Sequence, residues 1–113
     1  MHAFEVLADP VRRRILELLA AGELSSGDVV AVVAVEFRIS QPAISQHLRV
    51  LRDNGFASVR AAGTRRVYSV EAQSLREANV WLERFRHLWD QPLAALGTEI
   101  ARGKRARRVR KPE

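Results

Sequence analysis

The chain changes its hydrophobic period at one place, Asn54-Gly55, and that change limits what its 113 residues can fold into more than any other feature. Before it, residues 39–56 read ISQPAISQHLRVLRDNGF and carry Ile44, Leu48 and Leu51 at helical spacing. Ser40 is placed to cap the free amides of that helix, and Asn54-Gly55 is placed to stop it. After it, FASVRAAGTRRVYSV gives two short runs, about 56–60 and 65–70. Val59, Val67, Tyr68 and Val70 favour strands there, and Gly63 favours the turn between them. A short amphipathic helix that runs straight into a β-hairpin leaves few architectures open.

The rest of the chain narrows them. Residues 1–8 suit a short helical lead-in, with Phe4 and Leu7 on one side. Asp9-Pro10 opens a second helix, since the aspartate can cap and proline at the first position wastes no hydrogen bond. Val11, Ile15, Leu18 and Leu19 form its apolar face, Arg12, Arg13 and Arg14 lie off that face, and Gly22 ends it. Ser25 or Ser26 opens a third helix through about Glu36; the serine start, Asp28 in the first turn and the alanines favour helix over strand for VVAVVAV. Phe37-Arg38-Ile39 makes a turn. A long last helix is expected from about Glu71 to Arg102, because Leu75, Ala78, Leu82, Phe85, Trp89, Leu93, Leu96 and Ile100 follow one another at intervals of three and four, near a coiled-coil seam. Pro92 should kink or break it. Four helices, a hairpin and a long helix predict a mainly α fold with a small β-hairpin wing, a winged helix-turn-helix.

Length fits one domain, expected over 1–102, followed by a basic tail over 103–113 that like charges should keep disordered. No apolar stretch reaches the roughly 18 residues of a membrane span and the N-terminus shows no signal pattern, so a cytoplasmic protein is expected. The chain has no cysteine, which removes disulfides, thiolate metal sites and cysteine nucleophiles. Its net charge of +6 is a property of the end: seven of 19 basic and one of 13 acidic residues lie in 101–113, leaving twelve of each elsewhere. Such a tail could attract phosphate backbones or simply aid solubility, so composition alone does not establish nucleic-acid binding.

Pattern says more than charge. Pro42, Ser45, Gln46, Arg49 and Asp53 fall opposite the apolar stripe of the fourth helix, and Gln41 sits at the stripe's edge in the first turn. In helix-turn-helix docking the second helix enters the major groove, where amides, hydroxyls and guanidinium groups match base edges. The hairpin adds Arg60, Arg65 and Arg66 with Thr64 in its turn, where a wing would meet a minor groove or backbone. Any surface helix is polar opposite its stripe, and arginines at a turn are common in solvated loops; it is the juxtaposition that favours duplex reading. Two other classes stay open: a sequence-indifferent nucleic-acid binder driven by the tail, and a protein-interaction module using Trp81, Phe85 and Trp89.

The stretches LADPVRRRILELL, ISQPAISQHLRVLRDNGF and AGTRRVYSV, in that order over roughly Phe4–Val70, resemble the ArsR-type (ArsR/SmtB) winged-helix bacterial transcriptional repressors. The resemblance implies a homodimer through the first and last helices, with two recognition helices in successive major grooves of a palindromic double-stranded DNA operator. Carried across by position, Ser40, Gln41, Ser45, Gln46, His47 and Arg49 would read DNA, with Arg65 and Arg66 as the wing. Phe4, Leu7, Leu82, Phe85, Trp89, Leu93 and Leu96 would form the dimer interface. Two departures stand out. The helix before the reading helix is SSGDVVAVVAVEF, without the cysteine pair of metal-sensing members and about four residues longer than the family spacing. His87 and Asp90 share a face of the last helix but fall short of a ligand set, so no metal and no cofactor are expected. No catalytic motif is present, so no enzyme is expected, and the effector is left open: a small molecule between the long helices, abundance, or a partner protein.

Overall fold

In the computed structural model, which describes residues 1–90, Asp9-Pro10 begins a helix as its chemistry suggests. The Asp9 carboxylate accepts from the amides of Val11 at 2.8 Å and Arg12 at 3.3 Å, and Pro10 is the first residue of α2 (Pro10–Ala20). Ahead of it lies α1 (Ala3–Leu7), where the His2 ring accepts from the Phe4 amide and Glu5 accepts from the His2 amide. A five-residue helix leaves its C-terminal carbonyls without partners of its own. Arg12 donates to the Glu5 and Val6 carbonyls at 3.1 and 2.9 Å, and Arg13 to those of Leu7 and Ala8 at 2.7 and 3.1 Å. Arg14 forks onto Glu36 at 2.9 and 3.0 Å, joining α2 to α3 (Ser26–Phe37). That hydrogen bond holds the Glu36 carboxyl below its ordinary value and raises the Arg14 guanidinium.

Ser25 is the residue that caps α3, accepting from the Asp28 amide at 3.1 Å. Val29 and Val33 are the positions α3 buries, and Arg38 ends the helix in the left-handed region at φ 55°. Ser40 then caps α4 (Gln41–Asp53), accepting from the Ala43 amide at 3.3 Å. α4 buries Ile44, Leu48 and Leu51, the three positions of its stripe. These side chains meet Ile15, Leu19, Val6, Val29, Val33 and Phe56 in the core of a unit formed by residues 1–78.

The Leu51 carbonyl accepts from the Phe56 amide at 2.9 Å, turning the chain from α4 into β2 (Ala57–Ala62), which pairs antiparallel with β3 (Arg65–Val70). The register runs from Ala57↔Val70 to Ala62↔Arg65, with Gly63 at φ 64° in the turn. Two strands were expected, and a third is present: β1 (Leu24–Ser25) pairs Leu24 with Tyr68 and Ser25 with Val67, giving the order β1-β3-β2. Two residues carry no alternation of their own, so such a strand is defined only by the edge it joins. With α3, α4 and the hairpin in place the fold is a winged helix-turn-helix.

The last helix departs from the expectation. α5 spans Ala72–Glu83 rather than about Glu71 to Arg102. The chain then tightens: Arg84 donates to the Trp81 carbonyl, Phe85 to that of Leu82, and Arg86–Leu88 form a 3₁₀ turn. Helices in proteins are held mainly by packing of an apolar face, and aromatic residues are weaker helix formers than leucine or alanine. Here Val80, Leu82, Leu88 and Trp89 are exposed, so periodicity alone does not carry the helix on. The Pro92 kink, Leu93, Leu96, Ile100 and the basic tail lie outside the described residues. Among the described residues no helix is long and apolar enough to cross a membrane.

Candidate nucleic-acid interface

α4 has two unlike sides. Ile44, Leu48 and Leu51 are at most 1% exposed, whereas Gln41, Gln46 and Arg49 are exposed on the other flank. Ser40 is exposed as well, with its hydroxyl occupied by the cap, and Ser45 is half-buried. Arg49 donates through Nη1 to Gln46 Oε1, so the two residues form a linked pair with their remaining donors free. His47 turns elsewhere: its Nδ1 lies 3.3 Å from Arg12 Nη1. A guanidinium only donates, so Nδ1 is the accepting atom of this contact. His47 thus braces α4 against α2, in keeping with its place at the edge of the apolar stripe.

The wing arginines divide in the same manner. Arg60 pairs with Glu23 at 2.8 Å, and Arg65 donates to Ser25 at 2.9 Å and Asp28 at 3.3 Å. Both tie the hairpin to the protein's own surface. The Arg66 side chain is exposed and has no hydrogen bond or ion pair among the described residues, and Thr64 is exposed in the turn. In an antiparallel hairpin alternate residues share a face, so Arg66 follows Tyr68 on the side that packs inward. The core ends before Arg66, which leaves the side chain beside α4. With Ser26, Ser45, Leu48, Arg49, Arg52 and Tyr68 it lines a cleft of about 370 Å³. Arg52, Ser26 and Tyr68 were not marked from sequence as interface residues, although Arg52 stands one helical turn beyond Arg49 and Tyr68 two residues beyond Arg66.

In α1, Phe4 and Leu7 are half-buried, and Leu7 packs on the core. Beyond Ala78, Leu82 and Trp89 are exposed, and the half-buried Phe85 ring lies 4.7 Å from that of Trp81. Asp90 accepts from Arg86 at 2.7 Å while His87 is exposed, and no group of three His, Cys, Asp or Glu that could hold a metal ion occurs among the described residues.

Comparison with known proteins bears on the same region. Residues 9–59, from the cap of α2 into β2, match the model of the bacterial regulatory protein arsR family. The chain is 42% identical over 84 residues to the HTH-type transcriptional regulator Rv2034 of Mycobacterium tuberculosis, covering 74% of this chain and 75% of that protein. It is 34% identical over 92 residues to the transcriptional repressor SdpR of Bacillus subtilis, covering 81% and 98%. The crystal structure of a possible transcriptional regulator for arsenical resistance aligns with a TM-score of 0.66 at 34% identity, over 84% of this chain and 96% of that one. A homodimeric winged helix-turn-helix DNA-binding domain from Mycobacterium bovis aligns with a TM-score of 0.57 at 27% identity, over 76% and 78%.

Proposed function

The chain belongs to the ArsR family of bacterial regulatory proteins, and from that premise we propose that it is a homodimeric, cytoplasmic, non-enzymatic repressor that reads a palindromic operator with α4. One observation carries this reading. The helix that follows the α3–α4 turn is fixed by three fully buried side chains, while Gln46 and Arg49 project from it with donors to spare. Those donors suit major-groove edges, arginine to guanine and glutamine to adenine. Gln41, Ser45 and the α4 N-terminus complete the reading set, and the wing lies against the backbone. Ser40 acts mainly by holding the helix start, and His47 by bracing it.

Repression and dimerisation enter from the relatives, among them SdpR and the homodimeric domain from Mycobacterium bovis. Phe4, Leu7, Leu82, Phe85, Trp89, Leu93 and Leu96 are the proposed contacts between copies, a role that suits the exposed apolar side chains following Ala78. Two-fold symmetry then sets half-site centres about 10–10.5 bp apart, or a multiple. Other relatives are named arsenical and mercury resistance operon repressors, but this chain holds no thiolate for a soft metal or metalloid. We therefore propose no thiolate-bound metal or metalloid as its effector.

Selecting bound fragments from random duplex DNA, alongside sedimentation at micromolar concentration, tests the proposal. A palindromic consensus and a dimer are expected. Bound fragments without a shared sequence, or a persistent monomer, would overturn it.

A further inference from the structure

The cleft between the first turn of α3, α4 and β3 has a chemical bias of its own. Three guanidinium groups line it, from Arg49, Arg52 and Arg66, and no carboxylate does. Arg52 is held by Asp53 at 3.0 Å, but Arg49 and Arg66 have no acidic partner among the described residues. Ser26, Ser45 and Tyr68, each with a hydroxyl, line the cleft as well. Ser26 is the first residue of the twelve-residue α3, where amides point outward and the helix dipole favours negative charge.

Tyr68 supplies an independent observation. It is only 5% exposed, yet its hydroxyl has no hydrogen bond among the described residues. A buried hydroxyl without a partner costs free energy, and phenylalanine at this place would pack as well without that cost. A tyrosine beside three arginines is explained by an occupant that accepts hydrogen bonds. Guanidinium forks match the spacing of phosphate oxygens, and the hydroxyls add neutral donors to the same tetrahedral group.

We propose that this cleft is a phosphate-binding site, with Arg66 and Tyr68 as its principal ligands and Arg49 and Arg52 completing the ring. The inference rests on the reading of α4 as the helix that meets DNA, because a backbone passing between α4 and the wing would bring a phosphodiester to this opening. A free phosphate group has the same chemistry. If it occupies the cleft it competes with the duplex, making operator release responsive to phosphate.

Three measurements on the full chain decide the matter. Inorganic phosphate is titrated into the free protein at constant ionic strength, following amide resonances of β3 and α4. Operator duplexes carrying one neutral methylphosphonate at a time are scanned for lost affinity. Both are repeated with Arg66→Ala and Tyr68→Phe. Arg66→Ala is expected to lower the slope of log affinity against log salt by about one. Tyr68→Phe should keep that slope, weaken binding about two- to tenfold, and leave the unfolding midpoint unchanged or higher, which a merely structural tyrosine would not do. A methylphosphonate position whose penalty vanishes in Arg66→Ala and shrinks in Tyr68→Phe identifies the duplex as the source. Saturable phosphate binding that is lost in Arg66→Ala and weakened in Tyr68→Phe identifies free phosphate, and both results together identify a shared site. The proposal is overturned if phosphate leaves β3 and α4 unmoved and no methylphosphonate position couples to either residue. Should the protein select no DNA sequence, the reading of α4 fails while the phosphate titration still decides the cleft.

Discussion

Replacing Gln46 and Arg49 by alanine, singly and together, tests whether the exposed flank of α4 reads bases as a unit. In the free protein Arg49 occupies the side-chain acceptor of Gln46, leaving amide hydrogens and guanidinium donors facing outward. A pair three residues apart on an exposed helix face is held by only about 0.2–0.5 kcal/mol. A bidentate contact to a base discriminates by about 1–3 kcal/mol, so a base edge can take the pair apart. If Gln46 meets adenine, its oxygen takes the exocyclic amine on its second lone pair or exchanges Arg49 for it. If Arg49 meets guanine instead, Gln46 keeps its place as a brace. Either route makes the residues interdependent. Arg49→Ala should weaken binding to a selected operator by roughly 5- to 150-fold, which is 1–3 kcal/mol. The double variant should lose at least about 0.5 kcal/mol less than the two single losses combined. Fluorescence anisotropy on the operator and on a scrambled duplex, at one fixed salt concentration, gives all the required values. Losses that add within about 0.3–0.5 kcal/mol, or that are equal on both duplexes, would refute the argument.

Three further outcomes are expected. Gly55 sits at φ 81°, and a Cβ there would fall 2.6 Å from the hydroxyl of Ser74, which donates to the Asn54 carbonyl at 2.7 Å. Gly55→Ala should therefore cost about 2–4 kcal/mol in urea unfolding, and an unchanged midpoint would show that the joint between α4 and β2 is not under this constraint. Glu36 is held below its ordinary 4.5 chiefly by the hydrogen bond from Arg14, so its contribution is complete above that value and fades as pH falls through the lower folded value. Glu36→Gln should be less stable than the parent at about pH 7 and approach it at about pH 3, and a pH-independent difference would count against the assignment. Truncation after Ile100 should weaken binding to every duplex while keeping the preference for one sequence; loss of nearly all binding would favour the tail as the driving element.

What the sequence disclosed and what it withheld follow from the range of the interactions. The caps at Asp9 and Ser40, the stop at Asn54-Gly55 and the turn at Gly63 are chemistry among neighbouring residues, and each was legible. β1 was not, because Leu24 and Ser25 become a strand only through Tyr68 and Val67. Nor were the three successive arginines of α2, since one helix step each sends Arg12 to α1 and His47, Arg13 to the end of α1, and Arg14 to α3. The same limit explains how residues 1–100, with equal numbers of acids and bases, can present a positive cleft. Glu23, Asp28 and Glu36 neutralise Arg60, Arg65 and Arg14 at other places, while Arg49 and Arg66 keep their charge unpaired among the described residues. Net charge counts residues; a phosphate responds to which of them are already taken. Of the three wing arginines the hairpin pattern marked alike, Arg66 is therefore the one whose removal should be felt by DNA directly, and Arg60 and Arg65 should act through the posture of the wing.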